Sequence, residues 1–264
     1  MPGTDLPLLI DAVRHAGEIA LGYAGKTARR WDKPDGAGPV TEADLAVNDS
    51  LKTALQAARP DYGWLSEESE DGQDRLSRDA LFIIDPIDGT RSFTEGSRTW
   101  AISVAAARQN EITAAVVYLP ARDMLYVAAI GAGAQLNGKQ IRVADSPAFA
   151  NAQVLANKPA LAAKYWRDGS PTFKRHSRPS LSHRLALVAE GRFDGMLTLH
   201  PCWEWDVAAG ALLISEAGGK ITTRDGAPLR FNNPDAKVDG VLAGAARLQT
   251  EMLSALSDGQ LPTP

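Results

Sequence analysis

The sequence predicts a mixed α/β protein built from two joined layers of helices and strands. Strand-like segments follow one another between Trp100 and Ala129, separated by turn residues, as in an antiparallel meander. After about residue 150, short apolar segments alternate with segments of helical periodicity. These two sequence patterns predict an N-terminal α+β part over residues 1–150 and a C-terminal α/β part over residues 151–264.

The N-terminal part is predicted to begin with two helices. Apolar residues recur at steps of three and four from Leu6 to Tyr23, which is the period of an amphipathic helix. A loop rich in glycine and proline, 33–39, separates it from a second helix with apolar positions at Leu45, Leu51 and Leu55. Thr41 and Asp44 stand at its start, where they either cap the helix or belong to a site.

The remaining elements follow from short apolar runs. Leu81–Ile84 is typical of a buried strand that stops at Asp85, and Gly131–Ala134 lacks the third glycine of a dinucleotide fingerprint and is predicted as a turn. Strands are expected at 100–106, 112–118, 124–129, 154–155, 196–198 and 241–243. Helices are expected at 182–190, 205–217 and 246–256, and the tail 261–264 is predicted to fray.

Composition excludes several classes of protein. The 264 residues carry a formal net charge of −4, which provides no overall attraction for a nucleic acid polymer or an anionic membrane. Cys202 is the single cysteine, so an intramolecular disulfide is impossible and a cysteine-based zinc site is disfavoured. The chain shows no signal-peptide pattern and no apolar run of membrane-spanning length. We therefore expect a cytoplasmic protein that acts on a small molecule.

Carboxylates occur in three separate segments, each at the end of a predicted element: Glu67-Glu68, Asp85 with Asp88, and Asp206. Each one alone is commonly a turn, a helix cap or a solvated residue. Buried together they are costly unless a cation neutralises them, and oxygen-only ligands select hard ions such as Mg²⁺ or Mn²⁺. The three segments therefore predict one shared metal site.

The stretch Asp85-Pro86-Ile87-Asp88-Gly89-Thr90 has a chemistry of its own. Its first carboxylate ends a buried strand, and proline stiffens the turn that brings Asp88 back three residues later. Gly89 lets an anion approach the backbone, and a helix that begins at Asp88–Thr90 offers free N–H groups to it. Metal ligands and a phosphate cradle are thus expected in one continuous turn.

These residues resemble the inositol monophosphatase family. The matching segments are, in chain order, Val40–Asp44, Ser66–Glu68, Asp85–Thr90 with Phe93, Gly133–Gly138, and Trp205–Gly210 with Glu216–Gly219. The resemblance spans about residues 10–245. It implies an alternating α/β/α/β/α layered sandwich of the inositol monophosphatase and fructose-1,6-bisphosphatase type. It also implies lithium-sensitive hydrolysis of phosphomonoesters with two or three Mg²⁺ ions, for which Mn²⁺ is a possible substitute.

The resemblance also implies roles for individual residues. The expected metal ligands are Glu67, Asp85, the Ile87 carbonyl, Asp88 and Asp206. The phosphate is expected against Asp88, Gly89 and Thr90. Asp44 is expected to position Thr90, and this pair with Glu67 is expected to orient and deprotonate the attacking water.

The choice of substrate stays open between branches of the family. Glu204 before Trp205-Asp206, and the segment Leu185–Arg192, resemble the branch that hydrolyses 3′-phosphoadenosine 5′-phosphate to AMP. That branch implies substrate contacts from Ser180, Leu181, Arg184 and Glu204. A basic loop containing Lys174, Arg175, Arg178 and Arg184 is placed to hold a second phosphate.

The sequence departs from the expected family patterns at two places, and the first of them opposes the nucleotidase assignment. The short segment 91–96 is closer to inositol-type members, and Ser66 stands where the family usually has glycine. Inositol-1-monophosphatase is therefore the first alternative and histidinol-phosphatase the second. A non-catalytic regulator that binds metal and phosphate on the same fold is the alternative of a different class. Either a monomer or a homodimer is compatible with the sequence.

Overall fold

The computed structural model describes residues 4–24, 28–34, 38–145 and 148–257. The middle of the predicted glycine- and proline-rich loop, 35–37, and the tail 261–264 lie outside these ranges. The described residues form six α-helices: α1 (Leu6–Tyr23), α2 (Glu42–Ala58), α3 (Thr90–Thr94), α4 (Leu181–Ala189), α5 (Glu204–Glu216) and α6 (Ala246–Ala255). The long predicted helices are thus confirmed to within one residue at most ends.

The strands fall into two large sheets and two small ribbons. The first half of the chain holds β1 (Arg30–Asp32), β2 (Pro39–Thr41), β3 (Gly63–Ser66), β4 (Ala80–Asp88), β5 (Ala101–Arg108), β6 (Glu111–Leu119), β7 (Met124–Ala129), β8 (Gly133–Leu136) and β9 (Lys139–Gln140). The second half holds β10 (Gln153–Ala156), β11 (Lys174–His176), β12 (Gly195–Thr198), β13 (Cys202–Trp203), β14 (Lys220–Thr222), β15 (Lys237–Val238) and β16 (Val241–Gly244).

The first sheet has seven strands in chain order, β3 to β9. Strands β3 and β4 run parallel, and every later neighbour pair is antiparallel. The predicted meander over β5, β6 and β7 is therefore confirmed. The predicted turn at Gly131–Ala134 is wrong in its second half, because β8 begins at Gly133.

Strand β4 does not stop before Asp85, as the sequence predicted, but continues to Asp88. Asp85 pairs with Ser103 and Asp88 pairs with Ala101, so two residues of β4 lie opposite one residue of β5. The extra residue makes a β-bulge at Pro86-Ile87, where proline has no N–H to donate to the ladder. The two aspartates therefore belong to one bulged strand and not to a turn.

The second sheet has the order β11-β10-β12-β16-β14, with the first three strands parallel and the remaining pairs antiparallel. Its edge strand β11 contains Lys174 and Arg175, so half of the predicted basic loop is in fact a strand. The two sheets lie on either side of residue 150. The division of the chain into domains at that point stays a prediction.

Helices and sheets alternate as five layers. Helices α1 and α2 pack on the outer face of the seven-stranded sheet, and α4 and α5 lie between the two sheets. Helix α6 covers the far face of the second sheet. This is the predicted α/β/α/β/α order. Helix α5 is buried along most of its length because a layer lies on each side of it.

Two further sequence-based expectations can be compared with the fold. Leu45 was assigned to the apolar face of α2, but its side chain is 38% exposed, whereas Leu51 and Leu55 are fully buried. Among the described residues, no helix is long and apolar enough to cross a membrane.

Candidate active site

Three aspartates converge where β4 and α5 meet. Asp85 and Asp88 come from the two sides of the β4 bulge, and Asp206 comes from the first turn of α5. One carboxylate oxygen from each lies within 4.8 Å of the other two. Three oxygen ligands at this spacing suit a hard divalent cation. The predicted convergence of carboxylates from distant segments is therefore observed for these three residues.

The charges of the three carboxylates are poorly tolerated by their surroundings. Burial raises the pKa of Asp85 well above its usual range, and the charges of Glu67, Asp88 and Asp206 raise it further. Burial and the Asp88 charge raise the pKa of Asp206 in the same way. Asp85 Oδ1 is also buried with no hydrogen-bond donor among the described residues. A bound cation relieves both the repulsion and this unmet polar atom, so the residues fit a metal.

The N-terminus of α4 holds Asp88 in place. Ser180 Oγ, the Ser182 amide and Ser182 Oγ donate to Asp88 Oδ2 at 2.7, 2.7 and 2.6 Å, and the Leu181 amide lies 3.3 Å from Oδ1. Ser180 and Leu181, which the resemblance placed beside substrate, thus contact a carboxylate of the metal site. Ser182 was missed by the sequence analysis, although a Ser-x-Ser pattern at a helix start is a detectable signal.

Asp44 serves two neighbours with its two oxygens. Its Oδ2 accepts the Thr41 amide at 2.8 Å and Thr41 Oγ1 at 2.5 Å, which closes a capping box on α2. Its Oδ1 lies 3.1 Å from Thr90 Oγ1. The capping interpretation is therefore confirmed. The contact with Thr90 is the one that the site interpretation expects, and the role of Asp44 in a reaction stays a prediction. Burial raises the pKa of Asp44, against the opposing hydrogen bonds from Thr41.

Glu67 is not part of the aspartate group, although the resemblance implies that it binds metal. Lys33 Nζ lies 2.8 Å from Glu67 Oε1 and 2.6 Å from Glu68 Oε1, so one ammonium bridges the glutamate pair. Burial raises the pKa of Glu68 to about 7, with the Lys33 hydrogen bond acting against it. Lys33 was missed because nothing in a glycine- and proline-rich loop indicates which acidic residues it will reach.

The predicted phosphate cradle lies directly after the bulge. Gly89 has a φ of +97°, a left-handed conformation that residues with a side chain rarely adopt, and α3 begins at Thr90 as expected. Thr90 Oγ1 also lies 3.1 Å from the Ile87 carbonyl oxygen. The hydroxyl has a single proton, so it donates either to Ile87 or to Asp44 at one time.

Arg184 lies near the aspartate group, whereas the Glu204 carboxylate is hydrogen-bonded within the protein interior. Burial lowers the pKa of Arg184, and the charges of Asp88 and Asp206 lie near enough to raise it. Arg184 Nε donates to the Arg178 carbonyl. Glu204 is fully buried, and its carboxylate accepts the amides of Asn232 and Asn233. The Glu204 carboxylate is therefore bound inside the protein and is not exposed to a substrate, unlike the contact that the resemblance implied.

The five-layer fold and its buried carboxylates define a class of metal-dependent phosphatases, which are phosphoric monoester hydrolases. A model described as "Inositol monophosphatase family" matches residues 4–260 of the chain. The protein belongs to the inositol monophosphatase family, whose members act on small phosphate esters. The fold class and the reaction class expected from the sequence are thereby confirmed.

Relatives with different names are similar to the chain. An inositol-1-monophosphatase of Rhizobium meliloti (strain 1021) is 38% identical over 239 residues, which cover 84% of this chain and 86% of the relative. A 3′-phosphoadenosine 5′-phosphate phosphatase of Mycobacterium bovis is 34% identical over 251 residues, covering 92% and 90%. The crystal structure of extragenic suppressor protein suhB from Bartonella henselae superposes with a TM-score of 0.80 at 28% identity, covering 96% and 98%.

Proposed function

We propose that the protein is a Mg²⁺-dependent phosphomonoesterase that converts 3′-phosphoadenosine 5′-phosphate to AMP and phosphate. The observation that carries the reaction is the buried group of Asp85, Asp88 and Asp206. In this proposal two or three Mg²⁺ ions bind there, with Glu67 and the Ile87 carbonyl as further ligands, and Mn²⁺ is the expected substitute. Bound Mg²⁺ supplies the charge that neutralises phosphate oxygens and acidifies water.

The protein's own residues orient the reactants. When Thr90 Oγ1 donates a hydrogen bond to Asp44 Oδ1, its lone pairs are free to accept a hydrogen bond from the attacking water. As the water loses its proton to Thr90 Oγ1, the Thr90 proton passes to Asp44. The charge of Glu67 contributes to the raised pKa of Asp44, and we assign Glu67 to the same water. The phosphate lies against Asp88 and the amides of Gly89 and Thr90 in this arrangement.

The nucleotide assignment is supported by Arg184 and by the Mycobacterium bovis relative. Arg184 lies in α4, near enough to Asp88 and Asp206 for their charges to raise its pKa, and we assign its guanidinium to a second phosphate group on the leaving side. The observation that favours the alternative, inositol 1-phosphate, is the Rhizobium meliloti relative, with 38% identity. The predictions of a cytoplasmic location, of no polymeric nucleic acid partner and of a monomer or homodimer stay predictions.

A panel of four phosphate esters tests both the reaction class and the substrate that we propose. Phosphate release is measured from 3′-phosphoadenosine 5′-phosphate, inositol 1-phosphate, histidinol phosphate and fructose 1,6-bisphosphate, with Mg²⁺, with a chelator and with added Li⁺. We expect activity that needs Mg²⁺, is suppressed by Li⁺ and is highest on the nucleotide. Arg184→Met is expected to raise KM for the nucleotide about 10-fold, since a charge-assisted contact is worth roughly 1.5–3 kcal/mol.

Arg247→Met is the matched control, because Arg247 pairs with Glu251 on the surface of α6. Its kinetics should equal those of the wild type. A preference for inositol 1-phosphate contradicts the substrate assignment and leaves the reaction class intact. Undiminished activity in chelator contradicts the metal chemistry, and no hydrolysis of any ester favours the non-catalytic regulator.

A further inference from the structure

Glu204 is a buried carboxylate whose hydrogen bonds all run to one loop. It lies in the first turn of α5, two residues before Asp206, and is fully buried. Its Oε2 accepts the Asn232 amide at 2.7 Å, and its Oε1 accepts the Asn233 amide at 2.7 Å and Asn233 Nδ2 at 2.9 Å. Three N–H groups that converge on a buried carboxylate hold it in one direction.

The other side of this loop is held by Arg75, whose side chain is only 1% exposed. Its Nη1 donates to Asn232 Oδ1 at 2.7 Å and its Nη2 to the Asn233 carbonyl at 3.0 Å. The same guanidinium binds Asp71 with both Nε and Nη2, at 3.0 and 2.7 Å. A continuous polar chain therefore runs from Asp71 through Arg75 and the loop to Glu204.

This chain joins the two segments that carry the distant acidic residues of the site. Arg75 lies against the start of β3, where a Cβ on Gly63 would come within 2.9 Å of Arg75 Cβ, and β3 leads directly to Glu67. At its other end, Glu204 belongs to the same helical turn as Asp206. The polar chain thus connects the segment before β4 with the helical turn of α5 that carries Asp206.

The hydrogen bonds of Glu204 act at the end of α5 where the packing residues are small, whereas Leu212, Leu213 and Ile214 are buried in its second half. The residues after Asp206 are Val207-Ala208-Ala209-Gly210-Ala211, and they are buried against apolar neighbours. Small apolar side chains specify the rotation of a helix weakly, whereas directional hydrogen bonds specify it strongly. One other polar contact of this turn is from Ser103 Oγ to the Trp205 carbonyl, at 3.2 Å.

We infer that Glu204 is a positioning residue for Asp206: through Asn232, Asn233 and Arg75 it sets the direction in which α5 presents that carboxylate to Asp85 and Asp88. The inference rests on the proposed function, since it assumes that the three aspartates bind a divalent cation. Its consequence is that Glu204 determines metal affinity without contacting metal or substrate.

Glu204→Gln tests this role with a nearly isosteric change. The NH2 group of the new amide faces either the Asn232 N–H or the two Asn233 donors, which the lost carboxylate oxygen had accepted, so the turn must shift. Mn²⁺ binding is measured directly from the electron paramagnetic resonance signal of the free ion, and unfolding is followed by circular dichroism. We expect the Mn²⁺ dissociation constant to rise at least 10-fold. The Mg²⁺ concentration for half-maximal hydrolysis should rise in parallel, while KM at saturating Mg²⁺ stays unchanged.

Glu190→Gln is the matched control, because Glu190 accepts the Tyr126 hydroxyl at 2.9 Å at the far end of α4. It should lower the unfolding midpoint by a similar amount and leave Mn²⁺ affinity at the wild-type value. A folded Glu204→Gln variant with wild-type Mn²⁺ affinity overturns the inference. If Mn²⁺ affinity falls equally in both variants, the effect is general destabilisation and the inference also fails.

Arg75→Lys decides the matter if Glu204→Gln does not fold. Lysine keeps the charge but loses the planar fork that spans Asp71 and the loop, so we expect about a 3- to 10-fold weaker Mn²⁺ affinity. Unchanged affinity in Arg75→Lys overturns the inference. A wild-type protein that binds no Mn²⁺ contradicts the proposed function itself, which separates the two failures.

Discussion

At the scale of single residues, Asp44 shows how one carboxylate serves the fold and the site together. One oxygen completes the capping box of α2, and the other reaches Thr90. The sequence left the two interpretations open as alternatives, because a spacing of three residues is compatible with both. Which oxygen faces which neighbour depends on tertiary contacts with Thr90, and no local pattern encodes those.

The two duties of Asp44 are separable by mutation. Thr41→Ala removes the cap and is expected to cost about 1 kcal/mol of stability with little change in kcat. Asp44→Asn removes the charge that holds the Thr90 proton and is expected to lower kcat by about 10²- to 10³-fold. Thermal unfolding and steady-state kinetics of the two variants check this. An equal loss of kcat in both would show that the cap alone determines activity.

At the scale of elements, the site depends on two local irregularities, the bulge in β4 and the N-terminus of α4. The bulge was not predicted because a charged residue after an apolar run usually indicates that the strand has ended. Here the strand continues, and Asp85 and Asp88 are both buried. Helix α4 was predicted, but its role in holding Asp88 was not. The contact joins elements that are remote in sequence, and neither element's own pattern indicates it.

Ser182→Ala tests the contribution of α4 to the site. The change removes the 2.6 Å bond from Ser182 Oγ to Asp88, while the Ser182 amide and Ser180 still donate. Loss of one charge-assisted bond should weaken Mg²⁺ affinity about 10-fold. Isothermal titration with Mg²⁺ measures this. Ser254→Ala, on the outside of α6, is the control, and equal affinities in the two variants would contradict the role of α4.

At the scale of the whole molecule, the buried aspartates oppose folding when they are ionised. A carboxyl with a raised pKa contributes stability below the ordinary aspartate pKa of about 4, and that contribution is lost as the pH rises through its raised value. Asp85 and Asp206 are both raised in this way, chiefly by burial. The aspartate group is therefore a source of instability that a bound cation would remove.

Asp85→Asn should separate stability from function across the pH range. In chelator the variant is expected to unfold at a higher temperature than the wild type, and the difference should grow between pH 5 and pH 8. At pH 8, where the ionised carboxylates oppose folding most, we expect the midpoint of the variant to lie several degrees above that of the wild type. Added Mg²⁺ should raise the wild-type midpoint and not that of the variant. A midpoint difference that shrinks as the pH rises would contradict the assigned pKa shifts.

Most of the five-layer architecture could be predicted from the sequence, because the meander, the amphipathic helices and the family segments are all local signals. The side-chain contacts between the layers could not. Glu204 illustrates the reason: its position before Trp205-Asp206 suggested a contact with substrate. Its actual partners are two asparagines of a later loop and, beyond them, Arg75. Such partners are chosen by packing across the whole chain.

The distribution of the three aspartates along the chain has a consequence for protein synthesis. The ribosome releases Asp85 and Asp88 early, with the meander that surrounds them. Asp206 emerges only after the meander, α4 and the first strands of the second sheet have been made. Since N-terminal segments fold first during translation, the nascent chain passes through a stage with an organised sheet and an incomplete set of ligands. Under the proposed function, enzymatic activity therefore begins late in translation, once α5 has been placed between the two sheets.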